Sequence, residues 1–325
     1  MITPKIPLLK DGQILSVDVV NSIIKRTEYA GDLLKQYKLI AGNEMYVEPH
    51  YDGTRVSYLQ PVGGGGTPEP VTLPYRIVGA YTLGGFQRGF VYNGSTYTDI
   101  FVPGSFATFA LGIDGLNIVG YYQIEGSNTR ARGFLYNGST FTDIVNTSGA
   151  TELSTVAWGI DGSNIVGRYI SGRFRGFLYS GLSFTEISPP SSILAFCYGI
   201  DGSNIVGQYN LGGSGREDKG FLYNGSTFTD IIFPGGFSTG AFGIDGSNIV
   251  GYYYDAGYRG FLYNGSTFTD IMAPGYADTI PQGIKGSNIV GYYYDASYRG
   301  FLYKGSTFTD IFVPGSSGTQ AFGIG

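Results

Sequence analysis

Six basic side chains recur at one place in a repeated motif. Arg88, Arg132, Arg175, Lys219, Arg259 and Arg299 each stand directly before the glycine of a Gly-Phe-Val/Leu-Tyr sequence. A ring of six cations would suit an anionic ligand. Eleven residues beyond each base stands an acid: Asp99, Asp143, Glu186, Asp230, Asp270 and Asp310. A two-residue turn at Asn93-Gly94 would set Tyr92 opposite Ser95 and Arg88 directly opposite Asp99, and the same arithmetic pairs the other five. Directly opposed charges contribute roughly 0.2–1 kcal/mol each. The ion-pair reading is preferred to the ligand reading, and a one-residue bulge would break it.

Other catalytic constellations are thin. The one histidine, His50, lies outside the repeats and reads as a strand residue, so no His-based triad or His-rich metal site is expected within them. The single cysteine, Cys197, excludes an intrachain disulfide framework and a cysteine-rich zinc site. Gly63–Gly66 lacks the Lys-Ser/Thr of a phosphate loop. Carboxylate pairs for sugar hydrolysis remain open because acids are many. The repeated acids, however, are taken by the charge ladder, which also uses most of the arginines a sialidase would need free. A non-enzymatic protein without metal or cofactor is expected.

The composition fits short strands joined by tight turns. Gly is 54 of 325 residues, Tyr and Phe together are 50, and charged residues are only 14%. The net charge of −5 lies in the repeats, since residues 1–60 carry seven basic and seven acidic side chains. A mildly acidic surface argues against nucleic acid or an anionic membrane as partner. The sequence has no Sec signal and no apolar run of membrane-spanning length, so a soluble chain made in a cytoplasm is expected.

The repeat itself sets the fold. Copies of GFVYNGSTYTDI begin at Gly89, Gly133, Gly176, Gly220, Gly260 and Gly300. GIDGSNIVG or a close variant begins at Gly112, Gly159, Gly199, Gly243 and Gly283. The unit from Thr239 to Met272 parses into four strands: A around Ala241–Ile244, B at Asn248–Tyr253, C at Arg259–Tyr263 and D at Thr267–Ile271. Asp245-Gly246 and Asn264-Gly265 supply hairpin turns. A period near 40 with four short strands predicts a propeller blade. B–C–D sets occur six times, the first with no strand A before it, while Gln320–Gly325 is a strand A with nothing after it. Joined, they complete one blade. The prediction is a mainly β protein: a six-bladed β-propeller over residues 75–325, closed by its last strand.

The repeat resembles the HAF family of extracellular repeats, in which G-I-x-x-x-G-x-I-V-G is followed by F-L-Y. Gly243-Ile244, Ile249-Val250-Gly251 and Phe261-Leu262-Tyr263 carry the likeness. It implies the propeller fold and an extracellular setting. Where that family has Asn-rich turns this chain has Asp-Gly.

Residues 1–62 are different in kind and read as a small α+β domain. Ser16 or Asp18 is placed to cap a helix running to about Ile40. Val19, Ile23, Ala30, Leu33, Tyr37 and Ile40 fall on three- and four-residue steps, interrupted at Arg26. That stripe suits either packing within its own domain or self-association, with a trimer suspected. Met45–Tyr51 and Thr54–Pro61 flank Asp52-Gly53 as a β-hairpin, and residues 63–74 form a Gly/Pro linker. The segment SVDVVNSIIKRTEYAGDLLKQYKLIAGNEMYVEPHYDG is similar to the N-terminal attachment segments of phage tail or neck appendages. The similarity implies a virion appendage, with residues 1–62 contacting other virion or assembly proteins; an extracellular surface is the alternative.

Sequence variation is one-sided. The A–B and C–D turns repeat almost unchanged. The B–C loops (Thr82–Gln87, Gln123–Ala131, Ile170–Phe174, Asn210–Asp218, Tyr254–Tyr258 and Tyr294–Tyr298) and the D–A connections do not. In an antiparallel blade these two loop classes emerge on one face. Binding residues concentrate on loops held by a rigid frame. Tyr254, Asp255, Tyr258, Tyr294, Asp295, Tyr298, Arg173, Phe174, Arg216 and Glu217 are the candidates. Tyr beside Asp or Arg suits a sugar, whose ring stacks on an aromatic face while charges bond its hydroxyls. The expectation is a surface-binding protein that grips a host cell-surface glycan, with avidity from oligomeric display. A structural appendage whose propeller docks protein or acts as a spacer is the alternative, and a glycan-cleaving enzyme ranks third.

Overall fold

The computed structural model describes residues 45–50, 53–58, 75–124, 131–146, 154–181, 183–212, 217–276 and 278–325. The expected helix with its stripe from Val19 to Ile40, the linker and Arg216 lie outside them. The chain divides into two units between Pro70 and Val71. In the first, β1 (Met45–His50) pairs antiparallel with β2 (Gly53–Tyr58). His50 stands opposite Gly53, one residue earlier than a turn at Asp52-Gly53 requires.

The second unit is a ring of six four-stranded antiparallel sheets. Blade one holds β3 (Ile77–Leu83), β4 (Phe86–Tyr92) and β5 (Tyr97–Ile100). Blade two holds β6 (Ala107–Asp114), β7 (Asn117–Gln123), β8 (Arg132–Tyr136) and β9 (Phe141–Ile144). Blade three holds β10 (Thr155–Asp161), β11 (Asn164–Ser171), β12 (Arg173–Tyr179) and β13 (Phe184–Glu186). Blade four holds β14 (Leu194–Asp201), β15 (Asn204–Asn210), β16 (Lys219–Tyr223) and β17 (Phe228–Ile231). Blade five holds β18 (Ser238–Asp245), β19 (Asn248–Tyr254), β20 (Tyr258–Tyr263) and β21 (Phe268–Ile271). Blade six holds β22 (Thr279–Lys285), β23 (Asn288–Asp295), β24 (Ser297–Lys304) and β25 (Thr307–Ile311). The last strand, β26 (Gly318–Ile324), pairs with β3 as the inner strand of blade one. Ile324 faces Ile77, and Arg76 and Gly325 exchange backbone hydrogen bonds of 2.8 and 3.0 Å. The six-bladed ring predicted from the repeat count is therefore present, closed at the predicted place.

Repetition of side chains explains repetition of packing. Phe90, Phe134, Phe177, Phe221, Phe261 and Phe301 are fully buried, one per blade, each contributing about 1.5–3 kcal/mol by the usual transfer scale. The layers between blades are apolar as well. Val78, Ile100 and Val102 of blade one pack on Ala110, Ile113 and Phe134 of blade two. Leu302, Ile311 and Val313 of blade six close the circle on Ile77, Tyr81 and Phe90. The Gly of each Ile-Val-Gly lies under the neighbouring strands. A Cβ on Gly207 would overlap the Phe196 carbonyl oxygen and stand 2.7 Å from the Phe221 ring.

Two turn readings change. The Asn-Gly turn between strands C and D holds four residues rather than two, because Tyr92 faces Tyr97 and Phe90 faces Asp99. Asn93 Oδ1 accepts hydrogen bonds from the Ser95 and Thr96 amides at 3.0 and 2.9 Å, which closes the longer loop. Arg88 therefore reaches Asp99 diagonally, at 3.6 Å, and does not stand opposite it. Arg132–Asp143, Arg175–Glu186 and Lys219–Asp230 pair in the same way at 2.9, 2.6 and 3.8 Å. The ladder stops there. Arg259 and Arg299 turn instead to Asp255 and Asp295, at 3.1 and 3.2 Å.

The A–B turn also works differently from the Asp-Gly expectation. Asp245 faces Asn248, so Gly246 leads the two-residue loop at φ 60°. The aspartate is freed to act between blades. Asp114, Asp161, Asp201 and Asp245 each accept a hydrogen bond, at 2.7–2.8 Å, from the turn-glycine amide of the following blade.

Candidate functional site

The variable face carries two layers of side chains, one at the rim and one around the propeller axis. The rim layer begins with the loops joining strands B and C. Blades five and six repeat Tyr-Tyr-Tyr-Asp-Ala-Gly/Ser-Tyr-Arg-Gly. Register sets Tyr254 opposite Tyr258 and Tyr294 opposite Tyr298. The rings of each pair meet edge to face, with centroids 5.3 and 5.6 Å apart. Such wide rings would normally be covered, yet Tyr254, Tyr258, Tyr294 and Tyr298 are 39, 44, 52 and 46% exposed.

The two diverted ion pairs hold these loops. Asp255 Oδ1 accepts from Arg259 Nε and from the Ala256 amide at 2.6 Å. Asp295 Oδ2 accepts from Arg299 Nε and from the Tyr276 hydroxyl at 3.4 Å. Both aspartates, expected to meet a ligand's hydroxyls, are therefore engaged within the protein. Asp278 adds a brace, its Oδ1 accepting from the Tyr258 amide at 2.8 Å and its carbonyl from the Tyr294 amide at 3.3 Å. Strand D acids left by the diverted arginines accept from tyrosine hydroxyls: Asp270 from Tyr253 at 3.1 Å and Asp310 from Tyr293 at 2.8 Å.

Shallow cavities open at corresponding places of two blades. One, of about 300 Å³, is lined by Ala256, Gly257, Arg259, Met272 and Tyr276. The other, of about 260 Å³, is lined by Phe86, Arg88, Phe101 and residues 104–106. Each lies between a B–C loop and the following D–A connection, beside the strand C arginine.

The remaining candidates separate. Arg173 and Glu217 are exposed, the first at the start of β12 in blade three and the second on the B–C loop of blade four. Phe174 is half-buried and belongs to the axial layer, where the Arg168 guanidinium lies 4.5 Å from its ring centroid.

The axial layer was not anticipated. Every inner strand carries a β-bulge immediately before the glycine of its Gly-Ile pair, and the bulged residues are Leu111, Trp158, Tyr198, Phe242, Gln282 and Phe322. Bulges re-aim side chains. Trp158–Tyr198 and Tyr198–Phe242 stack edge to face across blade boundaries, at 4.7 and 4.6 Å. Behind this ring stand the residues that follow Ile-Val-Gly on strand B: Ala80, Tyr121, Arg168, Gln208, Tyr252 and Tyr292. A sequence signal existed. These two positions vary freely inside a motif that otherwise scarcely changes, so neither strand nor turn geometry dictates them. Burial pushes the Tyr121 phenol up to about 12, offset in part by Arg168, and raises Tyr198, Tyr252 and Tyr292 as well. Burial pulls the Arg168 guanidinium down. No group of metal-ligating side chains occurs among the described residues, and no helix there is long and apolar enough to cross a membrane.

No family model matches the chain, and no curated protein does. Solved structures are similar to this chain at low identity. TolB from Acinetobacter baumannii is 15% identical over 76% of this chain and 63% of its own, with a TM-score of 0.49. The β-propeller domain of the Trilobed protease from Pyrococcus furiosus is 9% identical over 83% of this chain and 79% of its own, with a TM-score of 0.45. A mutant of the Aleuria aurantia lectin, solved with alpha-methyl-L-fucoside, is 15% identical over 74% of this chain and 96% of its own, with a TM-score of 0.45. These likenesses concern fold alone.

Proposed function

We propose that this is a non-enzymatic surface-binding protein whose propeller captures a cell-surface glycan through its variable face. One observation carries the reading: two identical, solvent-exposed tyrosine pairs, Tyr254/Tyr258 and Tyr294/Tyr298, stand on adjacent blades. They occur on the two blades whose strand C arginine leaves the ladder to fasten the loop. Exposed rings on braced loops suit the apolar faces of sugars, and the shallow cavity beside the blade-five loop, at Ala256, Gly257 and Arg259, is large enough for one ring. Two equivalent pairs on one face favour a ligand that repeats. In this reading residues 1–62 anchor the protein in a larger particle, a phage virion on the similarity of the N-terminal segment. A trimeric display would multiply a weak single-site affinity. The HAF resemblance supports an extracellular setting.

A glycan array probed with the intact chain tests the proposal. Hits above background are expected, weakened tenfold or more in Tyr254→Ala/Tyr258→Ala and further when Tyr294→Ala/Tyr298→Ala is added. An array without hits, or hits unchanged in the four-residue variant, overturns it.

A further inference from the structure

The axial layer holds polar groups that glycan capture at the rim does not use. Arg168 is half-buried and, unlike the six strand C bases, has no carboxylate partner and no hydrogen bond among the described residues. Three aromatic rings surround its guanidinium instead: Phe174 at 4.5 Å, Phe196 at 5.0 Å and Trp158 at 5.2 Å. Those rings come from the bulge of its own inner strand, its own strand C and the inner strand of blade four. They fix the guanidinium plane without consuming its five N–H donors. A desolvated cation with unused donors is costly unless an anion completes it.

Nearby hydroxyls are also free. Those of Tyr121, Tyr198 and Tyr292 make no hydrogen bond to a described residue. Tyr198 meets Trp158 of the blade before it and Phe242 of the blade after it, Phe242 meets Tyr252, and Tyr292 of blade six meets Phe322, with ring centroids 4.7, 4.6, 5.4 and 6.0 Å apart. From blade two, Tyr121 packs together with Trp158 and Phe322 against Leu111 and Val156. Groups from five blades' worth of ring therefore converge near the axis. Among the described residues the one carboxylate coupled to this group, Asp218, is already held, by Asn210 Nδ2 at 3.0 Å and Gln208 Nε2 at 3.4 Å. It does not neutralise Arg168.

We infer that the axis of the propeller is a second ligand site, which takes a small carboxylate-bearing molecule, with Arg168 on the carboxylate and the Tyr121, Tyr198 and Tyr292 hydroxyls bonding its remaining polar groups. The planar fork of arginine matches a carboxylate in two parallel hydrogen bonds. The aromatic walls suit a ring-shaped body, so acidic sugars are the first class to try. The site is assigned independently of the rim tyrosines, although Tyr252–Tyr258 and Tyr292–Tyr298 ring contacts, at 5.3 and 5.4 Å, make the two layers continuous.

The chain's single tryptophan, Trp158, touches Arg168, so intrinsic fluorescence reports on this site directly. Full-length protein would be titrated with D-glucuronate, D-galacturonate and N-acetylneuraminate, and with D-glucose and D-galactose as neutral controls. A saturable change in emission with at least one of the acids is expected, at least tenfold weaker with either neutral sugar. Arg168→Gln should weaken it tenfold or more, and Arg168→Lys should restore part of it. Circular dichroism and the melting temperature check that each variant folds. Should Arg168→Gln not fold, Tyr198→Phe together with Tyr292→Phe should weaken the same response severalfold. No response to any acid, equal response to neutral sugars, or an unchanged response in a folded Arg168→Gln protein overturns the inference. The Tyr254→Ala/Tyr258→Ala protein should keep the tryptophan response, so failure at the rim and failure at the axis are read separately.

Discussion

At Ser191 a serine stands where other blades place glycine. In four connections between blades a Pro-Gly pair forms the turn, with Gly104, Gly235, Gly275 and Gly315 at φ 78–86°. Blade three instead reaches the same bend with Ser191 at φ 65°, and the Ser192 amide donates to the Pro189 carbonyl at 3.2 Å. A left-handed backbone costs a non-glycine residue about 1–2 kcal/mol, while glycine loses more chain entropy on folding. Ser191→Gly should therefore stabilise the protein by about 0.5–1 kcal/mol, visible as a higher urea midpoint at unchanged slope. A lower midpoint would mean that Ser191 contributes something its backbone does not reveal. Buried phenols make a second prediction at this scale. Tyr121 and Tyr209 are held up to about 12, both chiefly by burial, Tyr209 also by its hydrogen bond to Asp230. Their neutral forms are favoured in the fold. That stability is complete below the unfolded value near 10 and is lost as pH climbs toward 12. Absorbance at 295 nm should show a late-ionising tyrosine fraction, and the melting temperature should fall from about pH 10 upward. A single titration near 10 would contradict the burial.

The blades show which parts of an element its sequence announces and which it hides. Strand order and the presence of the A–B hairpins were legible because the repeated motifs and their turn glycines leave direct marks. The C–D register was not. Asn93 was read for its backbone tolerance, whereas its side chain closes a loop two residues longer by collecting the Ser95 and Thr96 amides. The exposed tyrosines were found from loop variation. The bulge at Trp158 and Tyr198 was missed because a bulge has no composition of its own; only the freedom of its residue within a fixed motif betrays it. The aspartate of Gly-Ile-Asp-Gly was similarly read as turn chemistry, though its carboxylate ties one blade to the next. Asp161→Ala should cost about 1 kcal/mol in urea unfolding by leaving the Gly202 amide without its charged acceptor. Asp161→Asn should recover most of that loss. Equal stability of all three proteins would show that water serves the Gly202 amide as well as the carboxylate does.

For the molecule as a whole, β26 supplies the inner strand of blade one and thereby the last interface of the ring. Deleting residues 318–325 would bare β3 and uncover Leu302, Ile311 and Val313. Loss of a single cooperative transition and concentration-dependent aggregation are expected, measured by thermal denaturation with light scattering. A truncated chain that melts as sharply as the parent would show that the other five blades suffice. The meeting of Arg76 and Gly325 carries one more implication. They occupy the places that Asn248 and Asp245 hold in blade five, where two residues bridge the strands. A two-residue Gly-Ser splice between Gly325 and Arg76, with the backbone reopened at Gly246 and Ser247, should give a circular permutant of the same ring. The staple would then sit in blade five, and any cargo fused at the new start would leave from another spoke.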